Sequence, residues 1–405
     1  MNKPELLSPA GDMEKLKYAF AYGADAVYLG AEEYGMRAAP KNFTLEQLKE
    51  AVDFANSLGK KVYLTLNTVP TNDEVDKMPE FIKKIGEIGV HAVIVADMGV
   101  MQMVKENAPN VDIHMSTQTG IMNYRSANAL YALGARRVVL ARECSFEDII
   151  KIRKNTPKDL EIECFVHGAM CMSFSGRCLL SHYLTGRDAN RGECAQPCRW
   201  EYRLVEKSRP GMAYDINESP TGGTYIMNAN DLCMAQYIDM LVDAGITSLK
   251  IEGRAKSFYY VASVTSAYRK AIDSYFANPV DWICPNEVTE ELCKTSHRRY
   301  STGFYFGPEH AIQSTDTSQY VREYELLGVV DECKDDILYC EQRGKFNLGD
   351  EIEILSPKGE NIVFKPEWIK NADGEFVQST PHSKMRYTIP CEHNIEPMSV
   401  IRKKL

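Results

Sequence analysis

The chain has 405 residues, of which 44% are hydrophobic and 25% are charged, a composition that excludes an intrinsically disordered protein. The net charge of −9 at pH 7 argues against a purely electrostatic nucleic-acid binder, although it leaves room for a local basic patch. No stretch approaches the roughly 18 uncharged apolar residues that a membrane span needs, and the chain enters an apolar strand soon after Met1. We therefore expect a cytoplasmic protein without membrane association.

A recurring unit of helix, glycine and apolar strand organises the first two thirds of the chain. Amphipathic stretches such as residues 44–59 lead into a glycine, which is predicted to end the helix, and then into a strand. Four strands begin in this way, after Gly23, Gly89, Gly134 and Gly245. Four more strand candidates begin at Glu5, Lys61, Asp112 and Glu161. Eight strands alternating with helices predict an α/β fold, a (β/α)8 TIM-like barrel over residues 1–285, with an open doubly wound sheet as the alternative.

The strand spacing breaks once, because about 80 residues separate the last two strands where one βα unit needs about 30 to 45. A Cys-rich insertion is therefore predicted at about residues 170–224. It leaves from the C-terminal end of a strand, which is the catalytic face of such barrels. Residues 286–320 are predicted to be a linker. Short alternating runs over residues 321–405 then predict a small C-terminal β-barrel domain.

Four cysteines crowd into the predicted insertion, with six, fifteen and three residues between successive members: Cys171, Cys178, Cys194 and Cys198. Clustered cysteines in a chain of this size without a signal peptide indicate metal binding more than disulfides. Zinc sites usually show two short paired spacings, so the irregular spacing favours an iron–sulfur centre over zinc or unligated thiols. Cys233 is an alternative fourth ligand, although a lone cysteine at the start of an apolar helix is typically a core residue.

Polar residues at predicted strand ends are candidate site residues in a barrel. The motif "LKIEGR" puts Lys250 and Glu252 at alternate positions of a buried strand, which fits either a site or a structural ion pair. Arg142 and Arg254 are placed to bind a carboxylate with both ends of the guanidinium. His167 is a candidate base or a core histidine. Further candidates are Glu5, Ser8, Asn67, Asp97, Ser116, Gln118 and Glu163.

Cations and aromatic residues interleave at the end of the insertion, a pattern that neutralises phosphates and stacks unpaired bases. The alternative is a solvated rim around the cysteines. The pattern consists of Arg187, Arg191, Arg199, Trp200, Tyr202, Arg203, Lys207 and Arg209, with Arg298 and Arg299 as further candidates.

Long motifs throughout the chain resemble the peptidase U32 family, including "PELLSPAGD", "FVHGAMCMSFSGRCLLS", "RGECAQPCRWEY" and "SLKIEGRAKSFYYVA". The resemblance is strongest to the branch that hydroxylates the wobble uridine of the tRNA anticodon loop to 5-hydroxyuridine. It implies a [4Fe–4S] cluster on Cys171, Cys178, Cys194 and Cys198. It also implies an O2-independent reaction with prephenate, a small carboxylate metabolite, as co-substrate and hydroxyl source. Some relatives act on ribosomal RNA or on a quinone precursor.

Two other functions remain as alternatives. The family name implies a collagenase-like peptidase, yet the sequence contains no "HExxH" helix and no "GxSxG" elbow. A cysteine nucleophile with His167 or His182 as base would compete with metal for the same thiols. The other alternative is a zinc-stabilised RNA-binding scaffold without enzymatic activity. The sequence leaves open whether an accessory protein or a second copy of the chain takes part.

Overall fold

Eight parallel strands close into a barrel in this computed structural model, which describes residues 2–34, 42–200, 202, 204–205, 207–208, 213–214, 229–311, 314, 319–358 and 360–405. The barrel strands are β1 (Glu5–Pro9), β2 (Ala26–Leu29), β3 (Lys61–Leu66), β4 (Ala92–Val95), β5 (Asp112–Met115), β6 (Arg137–Val139), β7 (Glu161–Ala169) and β11 (Ser248–Ile251). Strand β11 pairs in parallel with both β7 and β1. This pairing closes the sheet, so the TIM-like barrel is confirmed and the open doubly wound sheet is excluded.

Helices surround the barrel, and the predicted glycines end four of the helical segments. The φ angles of Gly23, Gly89, Gly134 and Gly245 are 101°, 85°, 104° and 78°, a left-handed conformation that glycine adopts without steric cost. None of the described helices has the length and apolar character that a membrane crossing requires. The helices are α1 (Met13–Ala21), α2 (Leu45–Ser57), α3 (Asn72–Val75), α4 (Met78–Ile88), α5 (Met98–Asn107), α6 (Tyr124–Ala132), α7 (Phe146–Lys154), α8 (Leu180–Thr185), α9 (Ile238–Asp243), α10 (Phe258–Ala277) and α11 (Asn286–Cys293).

The insertion leaves the barrel from the C-terminal end of β7, as predicted. Its described part contains α8, three short 3₁₀ turns and a hairpin of β8 (Leu204–Val205) and β9 (Ala213–Tyr214). Strand β10 (Asp231–Cys233) brings the chain back and pairs antiparallel with the end of β7. Strand β12 (Tyr300–Ser301) then pairs with β10. The segment predicted to be a linker is thus packed on the barrel, since it forms α11 against α10 and contributes β12 to the barrel sheet.

The barrel interior combines an apolar and aromatic cluster with a network of charges. Six apolar or aromatic side chains from β1 to β4 form one interior cluster: Leu7, Ala26, Tyr28, Tyr63, Ala92 and Ile94. Arg137, over the ring of Tyr63, forms ion pairs with Glu5 at 2.7 Å and with Glu163 at 2.9 Å. The ammonium group of Lys250 lies 2.7 Å from the other oxygen of Glu163. Each buried charge therefore has a partner of opposite sign, as burial requires.

The C-terminal domain is a seven-stranded antiparallel sheet with a hydrophobic core of its own. Its strands are β13 (Tyr324–Lys334), β14 (Ile337–Gln342), β15 (Ile352–Leu355), β16 (Ile362–Phe364), β17 (Lys370–Asn371), β18 (Arg386–Pro390) and β19 (Val400–Lys404). Their order in the sheet is β16-β15-β19-β13-β14-β18-β17. The short alternating runs of the sequence correctly predicted this all-β domain, because one face of each strand packs on the domain core.

A buried ion cluster joins the C-terminal domain to the barrel domain. Arg402 on β19 is fully buried, and it forms ion pairs with Glu291 of α11 at 2.5 Å and with Glu353 of β15 at 2.7 Å. Nearby, the Tyr22 hydroxyl of α1 donates to the carbonyl oxygens of Leu355 and Met398. The two domains therefore share one desolvated interface.

We expect Arg402→Met to lower the free energy of unfolding by about 3 to 5 kcal/mol, because it leaves the carboxylate of Glu291 buried beside that of Glu353 without the guanidinium. The matched control is Arg386→Met, whose ion pair with Asp331 is solvent-exposed and worth about 1 kcal/mol or less. Urea denaturation of both variants checks the difference. Equal losses of stability would contradict a docking role for Arg402.

Candidate active site

A cavity of about 430 Å³ opens at the C-terminal ends of the barrel strands, between the barrel and the insertion. Active sites of such barrels lie at this end, where loops after several strands converge. The barrel contributes Tyr28, Thr65, Asn67, Ile94, Ser116, Gln118, Val139, Phe165, Lys250, Glu252 and Arg254, and the loop after β6 contributes Arg142 and Glu143. The insertion contributes Met170, Cys171, Ser173, Ser175, Cys194, Gln196, Cys198 and Arg199. The insertion therefore forms one wall of the barrel mouth.

The four predicted cysteine ligands come together at this wall. Cys171, Cys194 and Cys198 line the cavity, and Cys178 is close enough to affect the ionisation of Cys171 and Cys198. Burial is the main reason that the pKa of the Cys171 and Cys198 thiols is raised, and the neighbouring thiols add to it. A cationic group bound among them would reverse this effect, because it favours the thiolate form.

Backbone N–H groups point at three of these sulfur atoms, each from two residues further along the chain. The donors are Leu180 to Cys178 at 3.4 Å, Gln196 to Cys194 at 3.3 Å, and Ser173 to Cys171. Hydrogen bonds of this kind stabilise thiolate ligands. Within the described ranges, no three His, Cys, Asp or Glu side chains are spaced to hold a single metal ion.

Three cationic side chains lie on the barrel side of the cavity. Arg142 donates to the carbonyl oxygen of Ala169 at 3.0 Å, lies 3.6 Å from Glu252 and covers the ring of Phe165 at 3.9 Å from its centroid. Lys250 lines the cavity and also forms the ion pair with Glu163. Arg254 donates to the Thr65 hydroxyl at 3.1 Å. Arg142, Lys250, Glu252 and Arg254, predicted from strand ends, therefore share one cavity.

Gly30 provides the space in which Arg254 lies. A Cβ atom added at Gly30 would collide with Nη1 of Arg254, and it would also approach Thr65 Oγ1 at 3.3 Å. Absence of a side chain at Gly30 is thus what lets the guanidinium cross from β11 to β3. The sequence contains this glycine at the end of β2, but a strand pattern alone does not reveal its neighbour.

His167, predicted as a candidate catalytic residue, lies outside this cavity. It is 1% exposed, its Nδ1 is 3.4 Å from the Tyr268 hydroxyl, and the rings of Tyr260 and Tyr300 surround it. Burial lowers the pKa of His167 to about 3, so the ring stays neutral. Cys233 pairs with His167 across β10 and β7 and does not line the cavity either. The structure thus supports the interpretation of both residues as core residues.

The other strand-end candidates divide into two groups. Asn67, Ser116 and Gln118 line the cavity. The remaining candidates have structural roles: Glu5 and Glu163 belong to the interior ion network, Ser8 bonds Thr265 at 2.8 Å, and Asp97 caps the first turn of α5. Tyr28, Thr65 and Phe165 were missed, although they alternate with outward-facing residues on predicted strands. Glu143 and Ser175 were also missed, because both lie in loops, where no sequence period indicates a direction.

The interleaved cations and aromatics only partly form an exposed surface. Arg199 lines the cavity and Trp200 beside it is 44% exposed, whereas Arg191 is held by both oxygens of Glu74 at 2.7 and 3.0 Å. Arg203 and Arg209 lie outside the described residues. Arg298 is wrong as an RNA candidate, because it is 2% exposed and forms a buried ion pair with Asp231.

A second cavity of about 790 Å³ lies behind the first part of the insertion. It shares Glu143, Met170 and Cys171 with the barrel mouth, so these residues form the partition between the two spaces. Its rim is acidic, and the strand-end cations do not reach it. The strand-end cations and most of the cysteine thiols therefore lie at the smaller cavity.

Fold and cavity together define a (β/α)8-barrel enzyme whose active-site mouth carries a four-cysteine insertion. The family model "Peptidase family U32" matches residues 11–315, and "Peptidase family U32 C-terminal domain" matches residues 322–402. The chain belongs to peptidase family U32.

Three relatives have names that bear on the function. The tRNA hydroxylation protein P1 of Bacillus subtilis is 39% identical over 406 residues, which cover 99% of this chain and 95% of that protein. The 23S rRNA 5-hydroxycytidine C2501 synthase of Escherichia coli is 38% identical over 270 residues, 67% of this chain and 39% of that protein. A collagenase of Porphyromonas gingivalis is 32% identical over 418 residues, 98% of this chain and 97% of that protein. The first two names support RNA hydroxylation.

We expect His167 to make stability fall with falling pH. Because the folded-state pKa is about 3 and the ordinary value is 6.5, the unfolded state binds one more proton between these values. Each unit by which the pH falls in this window therefore lowers the free energy of unfolding by up to about 1.4 kcal/mol. His167→Gln removes this term, so the stability advantage of the wild type should be smaller at about pH 5 than at about pH 7.5. Urea denaturation at both pH values measures it, and a difference that does not change with pH would refute this assignment.

Proposed function

We propose that this protein is an RNA-modifying enzyme that converts the wobble uridine of the tRNA anticodon loop to 5-hydroxyuridine. The observation that carries the proposal is a single cavity at the catalytic end of the barrel, lined by cysteine thiols, by three cations of the barrel side and by Arg199 of the insertion. Thiols can hold a redox or Lewis-acid centre, and the cations can hold an anionic co-substrate. Relatives named for tRNA hydroxylation and for an rRNA hydroxycytidine support an RNA base as the substrate.

A [4Fe–4S] cluster is the proposed cofactor, held by Cys171, Cys178, Cys194 and Cys198. Four cysteines are the usual ligand set of this cluster. The residues fit it, because the four thiols influence one another at one wall and three accept backbone N–H bonds. When bound, the cluster would supply electron transfer or a Lewis-acidic iron.

Prephenate is the proposed co-substrate and hydroxyl source. It carries two carboxylates, so it requires more than one cation in a site that excludes water. Arg142 has a buried Nε–H that no described group accepts, which leaves a donor for one carboxylate. Arg254 and Lys250 supply further positive charge at the same cavity. Phe165, beneath Arg142, would contact the ring of the metabolite.

The RNA would approach over the insertion. Tyr183 is 85% exposed and Trp200 is 44% exposed, and Arg199 lies between Trp200 and the cavity. Exposed aromatic rings stack unpaired bases, and arginine contacts phosphates. An anticodon loop presents such bases, so it can deliver one base to the mouth without opening a helix.

The peptidase alternative has weaker support in this site. A nucleophilic cysteine needs a lowered pKa, whereas burial raises the pKa of Cys171 and Cys198. His167, one of the two candidate bases beside His182, packs against tyrosines and does not line the cavity. The observation in favour of this alternative is the similarity to the collagenase over nearly the whole chain.

Cys178→Ala should abolish both the cluster and the RNA modification. Anaerobically purified wild type is expected to contain about four iron and four sulfide per chain, with broad absorbance, and the variant should lose most of both. The matched control is Cys333→Ala in the C-terminal domain, which should keep the metal content. Nucleoside mass spectrometry of tRNA from a host without its own enzyme measures 5-hydroxyuridine. Stoichiometric zinc, or modification that survives without iron, would contradict the proposal.

Gly30→Ala should weaken co-substrate binding without loss of the cluster. The added methyl group displaces Nη1 of Arg254, so the KM for prephenate should rise about tenfold, the cost of about one charge-assisted hydrogen bond. Arg254→Lys should shift KM in the same direction. Arg269→Lys, on the outer face of α10, is the control and should leave KM unchanged. Steady-state kinetics with varied prephenate tests this, and an unchanged KM in both test variants would exclude Arg254 as a ligand.

A further inference from the structure

One group of residues that line the cavity is polar and carries a single carboxylate. It is formed by Asn67 after β3, Gln118 after β5, Glu143 after β6 and Ser175 in the first turn of the insertion. A neutral ligand group needs hydrogen-bonding partners without net positive charge. This group of residues, which we call the polar wall, is therefore suited to a neutral ligand group.

Asn67 presents an acceptor to this space. Its Nδ2 donates to Oε1 of Gln118 at 2.9 Å, which fixes the orientation of the amide. Its Oδ1 is buried, and no described group donates to it. Gln118, 5% exposed, is held in turn by Ser116. The amide is thus rigid before any ligand binds.

Ser175 and Glu143 each have a buried polar atom that also lacks a hydrogen-bond partner among the described residues. The backbone N–H of Ser175 donates to Oε1 of Glu143 at 2.9 Å. Among the described residues, neither the Ser175 hydroxyl nor Oε2 of Glu143 has a hydrogen-bond partner, and Ser175 is 3% exposed. Ser175 also has a φ of 50°, a left-handed conformation that costs a non-glycine residue about 1 kcal/mol or more.

The residues that carry these atoms are linked, because the turn of Ser175 packs on the turn that contains Gln118, and Gln118 accepts from Asn67. A Cβ atom on Gly120 would lie 4.0 Å from the Ser175 hydroxyl. Each buried polar atom left without a partner costs about 1 to 3 kcal/mol, so the Asn67 acceptor and the Ser175 hydroxyl indicate a ligand that offers one donor and one acceptor to this wall.

We infer that this wall binds the Watson–Crick edge of the target pyrimidine, an inference that rests on the proposed function. Uracil offers a carbonyl oxygen, an N3–H donor and a second carbonyl oxygen in a row. Asn67 Oδ1 accepts the N3–H, and the Ser175 hydroxyl donates to a carbonyl oxygen beside it. Glu143 is a positioning residue that holds the strained turn of Ser175. The anionic co-substrate then lies against Arg142, Lys250 and Arg254.

The test compares anticodon stem-loop RNAs that differ only at the wobble base. The wild-type holoenzyme should bind the uridine hairpin about tenfold more tightly than the N3-methyluridine hairpin, because methylation removes the donor. Asn67→Ala should bind the two hairpins equally. Asn128→Ala removes another amide with a buried, unpartnered oxygen, on the outer helix α6, and should keep the tenfold preference.

Ser175→Ala tests the same wall from the insertion side. Its affinity for the uridine hairpin should fall about fivefold, while its affinity for a hairpin without the wobble base should equal that of the wild type. If the wild type prefers uridine and both variants keep that preference in full, the inference is wrong and the proposed function stands. If the wild type binds no hairpin, the proposed function itself fails. Circular dichroism and iron content verify that each variant is folded and loaded.

Discussion

A network of buried charges holds the barrel closed, and the floor of the cavity depends on it. Arg137 on β6 joins Glu5 on β1 to Glu163 on β7, and Glu163 joins Lys250 on β11. Burial opposes these charges, yet the two carboxylates raise the pKa of Arg137 well above its ordinary value. Loss of any one partner would leave an uncompensated ion, which costs several kcal/mol. The same network that links the first and last barrel strands therefore fixes Lys250 below the cavity.

Barrel topology assigns different chemistry to different sectors of the mouth. Strands β3 and β5 carry the neutral side chains Asn67 and Gln118, while the loop after β6 and strand β11 carry Arg142 and Lys250. The cysteines belong to the insertion after β7, so they face the barrel from outside its strands. The neutral, cationic and cysteine side chains can thus each change by substitution in one loop or strand end. The interior ion network that supports these loops lies deeper in the barrel than the substituted residues.

The sequence predicted those structural elements whose residues repeat at a regular spacing. The four glycines and eight apolar strands predicted the closed barrel, and alternate charges in "LKIEGR" indicated that Lys250 and Glu252 have partners or a role. Position along a strand cannot tell which end or face a side chain takes, which is why Glu5 and Ser8 were included with Asn67. Ser175 and Gly30 could not be found, since contacts between residues far apart in sequence define them. His167 lies near the end of a strand, as several residues that line the cavity do, but its neighbours are tyrosines of α10 and β12.

The Arg402 cluster has a consequence for dissecting this chain. The two family models meet between residues 315 and 322, which marks an obvious place to divide the protein. Division there would strip Glu291 of its guanidinium partner on the barrel side and expose the apolar surface around Tyr18 and Phe258. Each half would then expose a charged group and an apolar surface that are buried against the other half in the intact chain. The sequence boundary between the domains is therefore not a boundary of cooperative folding.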